Sequence, residues 1–470
     1  MGAMQHFDLV VIGSGSGNSL IDERFEKWNI ALIDRDETFG GTCLNRGCIP
    51  TKMFVLPADL AAAPREAARL GVDLEYKGSD WKAIRDRIFG RIDPISAGGL
   101  DWRERSENVT VFRDEARFVG DRTLQVGDTQ ISADRVVIAT GSRPRELHVP
   151  GIDDVRDRIY TSDTIMRIDE RPRRLVILGG GFVATEFAHV FASLGTEVTL
   201  INRSDVLLRG HDAEISEQFA NQLGRRVQIR LNQRLSAFED SGDGGVTVVT
   251  TDRNGIEYEY FADAVLVAVG RVRNSDTLDP AAGGIEMRET GQIRVDAQQR
   301  TSATGVWAIG DVSSGHLLKH VANAEMRTVQ HNLLHPDQPV ETDHRYVPHA
   351  VFSDPQVAAV GATEEQLKAW GLPYVCARQR YADVAYGWAL EDEGHFVKLL
   401  ADPTNGHLLG AHIIGPQAPT LIQPLIQAMS FGQRVDEMAR GQYWIHPALP
   451  EVVENALLGL VAAQRAEAQQ

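Results

Sequence analysis

Cys43 and Cys48 lie with four residues between them in the stretch GGTCLNRGCIPTK, residues 40–52, and the chain has three cysteines in all. Thiols at this spacing could bind a metal, form a structural disulfide, pack as inert core residues or exchange electrons. A zinc site requires about four thiolate or imidazole ligands, and the third cysteine, Cys376, is isolated in the sequence. A disulfide here would close a very small loop, which stabilises little. Glycines at 40, 41 and 47 disfavour the interior of a helix or strand, and so disfavour inert core thiols.

The backbone between the two cysteines determines what kind of disulfide they could form. In a regular α-helix, residues five apart have Cα atoms about 8.7 Å apart, whereas a disulfide requires about 7 Å or less. If Cys43 and Cys48 pair, the helix must be distorted between them, and we expect the distortion at Gly47. Pro50 is more favourable in the first turn of a helix than in its middle. A strained disulfide is reduced more easily, which favours a redox pair over a structural one.

The composition restricts the classes of protein that could carry this pair. The chain has 470 residues, 43% of them apolar, which corresponds to about three domains. Its formal net charge of −17 argues against nucleic-acid binding, which requires a basic surface. The sequence has no apolar run of about 18 residues and no signal-peptide pattern, so we expect neither a membrane span nor export. The low cysteine usage is typical of a cytoplasmic protein, and that is the location we expect.

The pattern of apolar segments predicts the elements that hold the cysteines. A strand pattern at residues 7–13 is followed by a glycine-rich turn, a helix-like stretch and a second strand at 30–34. The same unit recurs at residues 174–202. Such units are typical of dinucleotide-binding domains. From about residue 345 the pattern changes to short alternating strands and amphipathic helices. The sequence therefore predicts two dinucleotide-binding units followed by a different C-terminal domain.

The first glycine-rich turn predicts a site for FAD or NAD. Gly13 and Gly15 allow a tight turn and the close approach of a pyrophosphate to the backbone. The third small position of the motif is Asn18, a departure for which the neighbouring Gly17 could compensate. Asp34 ends the second strand, and a carboxylate there accepts hydrogen bonds from a ribose 2′-hydroxyl. The same carboxylate would repel a 2′-phosphate.

The second glycine-rich turn has the opposite preference. Gly179 and Gly181 form the turn, but the following strand ends in Asn202 instead of an acid. Arg203 follows directly, and Arg209 is six residues further on. Two guanidinium groups beside a ribose provide the charge and the paired donors that a 2′-phosphate requires. We therefore predict NADPH here. Two unlike nucleotide sites in one chain suggest a relay from a hydride donor to a flavin.

The chain resembles the pyridine nucleotide–disulfide oxidoreductases, which include glutathione reductase and lipoamide dehydrogenase. After the cysteine stretch come, in the family's order, ATGSRP, GGGFVATE, AVGRVRN, AIGD, FSDPQVAAVG and IHPALPE. The resemblance implies an α/β fold: two Rossmann-like (glutathione-reductase-like) nucleotide-binding domains and an α+β C-terminal dimerisation domain. It implies an FAD domain with the redox disulfide at 1–146, an NADPH domain at 147–272, a part completing the FAD domain at 273–344 and an interface domain at 345–470.

The resemblance also implies roles for individual residues in a homodimer without a metal. Cys43 would attack the substrate disulfide, Cys48 would lie beside the flavin, and Lys52 would pair with Glu186 near flavin N5. His446 and Glu451 would be the acid–base pair, contributed by the other subunit. The residues implied for FAD are Gly13, Gly15, Asp34, Thr42, Ala139, Thr140, Gly141, Gly310 and Asp311; those implied for NADPH are Gly179, Gly181, Phe182, Arg203, Arg209 and Arg271.

The class of possible substrates is restricted mainly by features that the sequence lacks. The C-terminal tail has no further cysteine pair, and Glu23 stands where glutathione reductase would place an arginine for its anionic substrate. A disulfide without carboxylates therefore agrees best with the sequence. The stretches LNRGCIPTKMF and YWIHPALPEVVENALLGL most resemble family members that reduce mycothione, the disulfide of a cysteinyl glucosaminyl-inositol. The alternatives are a dihydrolipoamide dehydrogenase-like enzyme and a flavin-binding redox sensor without turnover.

Overall fold

The computed structural model describes residues 4–469. Twenty-two strands are present among these residues. They are β1 (Gln5–Ile12), β2 (Ile30–Ile33), β3 (Val109–Phe112), β4 (Ala116–Gly120), β5 (Thr123–Val126), β6 (Thr129–Ile138), β7 (Ser142–Pro144), β8 (Ile159–Thr161), β9 (Arg174–Leu178), β10 (Glu197–Asn202), β11 (Gln228–Leu231), β12 (Gln233–Asp240), β13 (Val246–Asp252), β14 (Glu257–Ala262), β15 (Ala264–Val267), β16 (Arg271–Arg273), β17 (Val306–Ala308), β18 (His349–Val351), β19 (Val357–Gly361), β20 (Val375–Arg380), β21 (Phe396–Ala401) and β22 (Leu408–Ile414).

Twelve α-helices accompany these strands within residues 4–469. They are α1 (Gly41–Asn45), α2 (Cys48–Arg69), α3 (Trp81–Glu104), α4 (Phe182–Ser193), α5 (Ala213–Leu223), α6 (Lys319–Leu334), α7 (Glu364–Trp370), α8 (Ala385–Ala389), α9 (Ala418–Leu421), α10 (Gln423–Phe431), α11 (Val435–Arg440) and α12 (Pro450–Glu467). None of the helices in this part of the chain is long and apolar enough to cross a membrane.

The first sheet collects strands from two distant parts of the chain. Its order is β3-β2-β1-β6-β5-β4, and β17 pairs with β6. The central strand β1 is parallel to both β2 and β6, and its residues Leu9, Val10 and Val11 are fully buried. Because parallel strands end at one edge of a sheet, the first glycine-rich turn, Asp34 and the segment after β6 converge there. The return of the chain in β17 brings Gly310 to the same edge.

The other two units follow the predicted architecture. A five-stranded parallel sheet, in the order β11-β10-β9-β15-β8, carries the second glycine-rich turn after β9. The antiparallel strands β12-β13-β14 form a separate sheet beside it. The C-terminal sheet has the order β18-β19-β22-β21-β20, and its described pairings are antiparallel. The predicted fold class, two Rossmann-like domains with an α+β C-terminal domain, is confirmed.

The segment after the first turn differs from the predicted helix. Two short 3₁₀ turns, Asn18–Leu20 and Glu23–Phe25, replace an α-helix between β1 and β2. The buried Arg103 of α3 stabilises them, since its guanidinium donates to Asn18 Oδ1 at 2.5 Å and to the carbonyl oxygens of Asn18 and Ile21 at 2.8 and 2.7 Å. Asn18 thus departs from the motif because it binds Arg103. Gly17 is the small residue at this turn, since a Cβ there would lie 2.4 Å from the Gly13 carbonyl oxygen.

Candidate functional site

The two cysteines lie on either side of a break between two helices. Cys43 is in α1, and Cys48 is the first residue of α2. At Gly47, between them, a Cβ would lie 2.9 Å from the carbonyl oxygen of Thr42, so only glycine permits this close approach. Pro50 falls in the first turn of α2. The distortion predicted at Gly47 is therefore confirmed, and both thiols are free.

The two thiols differ strongly in acidity. The hydrogen bond from the Cys43 thiol, together with the nearby Lys52 ammonium, lowers the pKa of Cys48 to about 7. The pKa of Cys43 is raised, because its thiol donates this hydrogen bond and because it is partly buried. The pair titrates as a unit, and the first proton lost leaves a thiolate at Cys48. As the pH rises above about 7, the reduced pair therefore becomes mainly a Cys48 thiolate beside a Cys43 thiol.

Lys52 and Glu186 join α2 to the second nucleotide-binding domain. Lys52 Nζ lies 2.5 Å from Glu186 Oε2, and the N–H of Phe352 donates to Glu186 Oε1 at 2.9 Å. Burial raises the pKa of Glu186, while the ammonium opposes that shift. Lys52 also lies 4.5 Å from the centre of the Phe352 ring. The predicted Lys52–Glu186 pair is thus present, and Phe352 from the C-terminal domain holds it in place.

A cavity of about 1040 Å³ extends from the first glycine-rich turn to the cysteines, at the upper end of the range for ligand sites. Glu186, Phe182 and both cysteines lie in its wall together with Lys52. So do all nine residues predicted for FAD: Gly13, Gly15, Asp34, Thr42, Ala139, Thr140, Gly141, Gly310 and Asp311. Residues from five separate stretches of sequence therefore converge on one cavity.

The donors and acceptors in this wall agree with a bound FAD. Gly13 has φ +112°, and a Cβ there would lie 2.3 Å from the Ala139 carbonyl oxygen, so the turn requires glycine. Asp34 Oδ2 accepts the N–H of Ser14 at 2.8 Å, which places the carboxylate at the turn where a ribose would lie. Asp311 Oδ2 accepts the Ser142 hydroxyl at 2.5 Å. The N-terminus of the 16-residue helix α6 also faces the cavity, and its free N–H groups favour an electronegative ring edge.

The second glycine-rich turn repeats the geometry of the first. Gly179 has φ +126°, and a Cβ there would lie 2.3 Å from the Ala268 carbonyl oxygen. Gly13 has the same relation to the Ala139 carbonyl oxygen. Asn202 donates to the Val206 carbonyl oxygen at 2.7 Å, and this bond shapes the loop after β10. Gly179 and Gly181 lie outside the wall of the large cavity, whereas Phe182 lies within it, with 43% of its surface exposed.

Arg203 and Arg209 lie exposed in this loop. Within residues 4–469 neither guanidinium group forms an ion pair, and the nearby carboxylate of Asp205 pairs with Arg253 at 3.4 Å. Both arginines are therefore available to an anion at this turn.

Arg271, which was predicted for NADPH, lies beside the segment that follows β6. It begins β16, which pairs with β7, and its guanidinium donates to Ser142 Oγ at 2.7 Å and to the Ser142 carbonyl oxygen at 2.6 Å. Its Nε is 4.0 Å from Asp311 Oδ2. These contacts hold Arg271 in the wall of the large cavity, which also contains Phe182.

The predicted acid–base pair is formed at the far end of the chain. His446 Nδ1 lies 2.5 Å from Glu451 Oε1, and Glu451 is in the first turn of α12. The His446 side chain is 70% exposed and is not part of the cavity wall around the cysteines. Tyr443 and Ile445, on the same loop, are exposed apolar residues. Within one chain, the pair is thus assembled but directed to the surface.

Several residues in the site were not predicted from the sequence. Lys319, the first residue of α6, lies in the cavity wall and donates to Ser16 Oγ at 2.8 Å. Ser142 and Phe352 contact predicted residues from elements far away in the chain. The start of α6 after Leu318 was a usable signal for Lys319, whereas the contacts of Ser142 and Phe352 depend on the tertiary fold.

Two family models account for most of the chain. Residues 7–328 match the pyridine nucleotide-disulphide oxidoreductase family, and residues 347–457 match the dimerisation domain of the same family. The chain belongs to this family, and it is therefore a flavin-dependent disulfide oxidoreductase that uses a pyridine nucleotide. The dimerisation domain supports a homodimer.

Three individual proteins show how similar this chain is to known proteins. Mycothione reductase from Mycobacterium tuberculosis is 50% identical over 470 residues, covering 97% of this chain and 100% of the relative. Dihydrolipoyl dehydrogenase from Haloferax volcanii is 32% identical over 467 residues, covering 96% of each chain. The structure of the HOCl-induced flavoprotein disulfide reductase RclA from Escherichia coli aligns with a TM-score of 0.84 and 26% identity, covering 96% of this chain and 99% of that one.

Proposed function

We propose that the protein is an NADPH-dependent, FAD-containing reductase of mycothione. The observation that carries the proposal is the free Cys43–Cys48 pair, with a Cys48 pKa of about 7, in the wall of a cavity that also contains a dinucleotide-binding turn. The mycothione reductase that is 50% identical over nearly the whole chain supports the choice of substrate. Three cysteines in 470 residues are typical of a protein from a reducing compartment, so we place the reaction in the cytoplasm.

The cysteines carry out the reduction of the substrate by thiol–disulfide exchange. Cys43 loses its proton to His446 of the partner subunit and attacks one sulfur of mycothione. A bond forms between Cys43 and that sulfur, the substrate disulfide breaks, and the imidazolium protonates the departing thiolate. The Cys48 thiolate then attacks Cys43, which releases the second mycothiol and forms the Cys43–Cys48 disulfide. The released thiolate takes its proton from water.

The roles of the other residues follow from their contacts. Glu451 orients the His446 ring and stabilises its charged form, since the two side chains are 2.5 Å apart. Lys52 stabilises the Cys48 thiolate, and Glu186 holds the ammonium in the cavity wall. FAD, when bound along the first glycine-rich turn, supplies two-electron transfer between the pyridine nucleotide and the cysteine pair. Asp34 and Asp311 would hold its ribose and its ribityl chain.

The preference for NADPH rests on the loop after β10. Arg203 and Arg209 are exposed there, and Asn202 stands in place of the carboxylate that would repel a 2′-phosphate. We assign Arg203 and Arg209 to that phosphate and Phe182 to the nicotinamide side of the cavity. The second candidate is an NADP-adapted dihydrolipoamide dehydrogenase, which the relative at 32% identity favours.

A substrate comparison with purified holoenzyme tests the proposal. Oxidation of NADPH is followed spectrophotometrically with mycothione, glutathione disulfide and lipoamide, and each reaction is repeated with NADH. We expect mycothione and NADPH to give the highest kcat/KM. Faster turnover of lipoamide would replace this proposal by the second candidate. Binding of FAD without reduction of any disulfide would indicate a redox sensor.

A further inference from the structure

Lys319 is the one ammonium in the cavity wall, among the described residues, that the predicted chemistry does not use. The cavity wall contains two lysines, Lys52 and Lys319. Lys52 is compensated by Glu186 at 2.5 Å. Lys319 has no carboxylate within ion-pair distance anywhere in residues 4–469, and its bond to Ser16 Oγ, at 2.8 Å, is to a neutral group. Lys319 thus contributes an uncompensated positive charge to this cavity.

Backbone contacts bring this charge next to α1, the helix that contains Cys43. Ser16 belongs to the first glycine-rich turn, which is bonded to the start of α1 because Ser14 Oγ accepts the N–H of Gly40 at 2.8 Å. The two segments also touch directly, since a Cβ on Gly41 would lie 2.6 Å from the Gly15 Cα atom. Lys319 therefore approaches α1 from the side of the turn, whereas Lys52 approaches from α2.

The charged and titratable neighbours of the two thiols differ, although Lys319 is near Cys48 as well as Cys43. Cys48 is next to Cys43, Lys52 and Glu186. Cys43 is next to Cys48 and Lys319. Burial lowers the pKa of Lys319, whereas the neighbouring thiols oppose that shift. A cation in a partly desolvated site favours the charged form of a nearby thiol.

We propose that Lys319 is a positioning residue that stabilises the thiolate of Cys43, as Lys52 stabilises that of Cys48. The inference rests on the proposed function, because it assigns an electrostatic partner to the thiol that attacks the substrate. Cys43 needs such a partner, since its proton must leave while the neighbouring Cys48 already carries a negative charge. Lys319 compensates part of that repulsion, and Ser16 holds the ammonium in place.

The test measures the reactivity of each thiol without any disulfide substrate. Holoenzyme is reduced anaerobically with dithiothreitol, desalted and alkylated with iodoacetamide between pH 6 and pH 9, and the two cysteines are quantified by mass spectrometry of their peptides. In Lys319→Met and Lys319→Gln we expect alkylation of Cys43 near pH 8 to slow about tenfold, because the rate follows the thiolate fraction. Cys48 should change by less than about threefold. Lys319→Arg should retain the wild-type profile.

Several controls make each result decisive. Lys82→Met replaces an exposed lysine far from the cavity, in α3, and should leave both rates unchanged. Flavin absorbance is measured for every variant. If both neutral variants lose flavin, Ser16→Ala is used in their place, and it should also slow the alkylation of Cys43. An unchanged Cys43 rate in the neutral variants, or an equal change in Lys319→Arg, would overturn the proposal. Because no mycothione is used, this outcome is independent of the choice of substrate.

Discussion

Cys43 and Cys48 have different surroundings although they lie on one short stretch of chain. Lys52 lies one turn along α2 from Cys48, and the Cys43 thiol donates a hydrogen bond to the Cys48 sulfur. The sequence predicted the pair, the break at Gly47 and the Lys52–Glu186 contact, because their spacing is local or belongs to a motif. It did not predict Lys319 or Phe352: the start of α6 was a signal for Lys319, whereas Phe352 reaches the site through a tertiary contact.

Serine variants of the cysteines test their assignment. Cys43→Ser should abolish mycothione reduction but retain the long-wavelength absorbance of the NADPH-reduced holoenzyme, since the Cys48 thiolate that we assign to the flavin side is unchanged and the serine hydroxyl can still donate to it. Cys48→Ser should lose both properties. Because the pKa of Cys48 is lowered to about 7, the absorbance should increase as the pH rises through 7. Absorbance retained in Cys48→Ser would mean that the two thiols have the opposite roles.

At the scale of elements, the glycine-rich turns and the strand ends place the nucleotide-binding residues. The repeated contact of Gly13 with Ala139 and of Gly179 with Ala268 makes the two units alike. The periodicity of the sequence predicted both units. It did not predict the 3₁₀ turns after β1, because they depend on Arg103, which lies about eighty residues further along the chain. The contacts of Arg271 were not predicted for a similar reason, since the pairing of β16 with β7 is not visible in the sequence.

The loop after β10 should determine the preference for NADPH. Arg203→Gln and Arg209→Gln should each raise the KM for NADPH roughly tenfold, because a charge-assisted hydrogen bond contributes about 1.5–3 kcal/mol. The KM for NADH should change little. Arg225→Gln, an exposed arginine after α5, is the matched control. Equal effects of the two substitutions on NADH and NADPH would show that these arginines do not bind the 2′-phosphate.

A buried ionic cluster connects the second nucleotide-binding unit to the C-terminal domain. Lys398 of β21 is 1% exposed, and its ammonium lies 3.0, 2.7 and 2.6 Å from carboxylate oxygens of Asp212, Glu214 and Glu364. Hydrogen bonds from Lys368, Lys398 and Tyr374 lower the pKa of Glu364 to about 2, from an ordinary value of 4.5. The contribution of the ionised Glu364 carboxylate to stability is therefore complete above about pH 4.5 and is lost as the pH falls toward 2.

Removal of the central ammonium should destabilise the protein. Lys398→Met should reduce the free energy of unfolding by about 3–5 kcal/mol, because it leaves the buried carboxylate of Asp212 without a cation. Lys368→Met is the matched control, since Lys368 is 60% exposed and contacts the same Glu364 at 2.8 Å, so it should cost about 1 kcal/mol or less. Urea unfolding at pH 7 measures both. A loss from Lys398→Met no larger than that of the control would contradict the account.

At the scale of the whole molecule, the cysteines and the acid–base pair lie on separate surfaces of one chain. His446 is 70% exposed and absent from the cavity wall, whereas Cys43 is within it. In a two-fold symmetric dimer each subunit contributes the same surface to the other, so two complete sites could form together. The sequence predicted this arrangement only through the family resemblance, because no local pattern indicates which surfaces meet.

Mixed dimers test whether the site is shared. Cys43→Ser and His446→Gln homodimers should each be nearly inactive, the second by a factor of about 10² to 10⁴ from loss of acid–base catalysis. A purified heterodimer of the two should recover about half of the wild-type rate, because one of its two sites has both residues intact. A heterodimer no more active than its parents would mean that each site is built within one chain.

The central claim is that electrons from NADPH reach mycothione through the Cys43–Cys48 pair. The most direct measurement is a single turnover: holoenzyme reduced anaerobically with one equivalent of NADPH per subunit is mixed with mycothione, and free mycothiol and alkylatable cysteines are counted. We expect two mycothiol molecules for each mycothione consumed, with Cys43 and Cys48 becoming protected from alkylation together. No release of mycothiol, or release while both cysteines remain alkylatable, would contradict it.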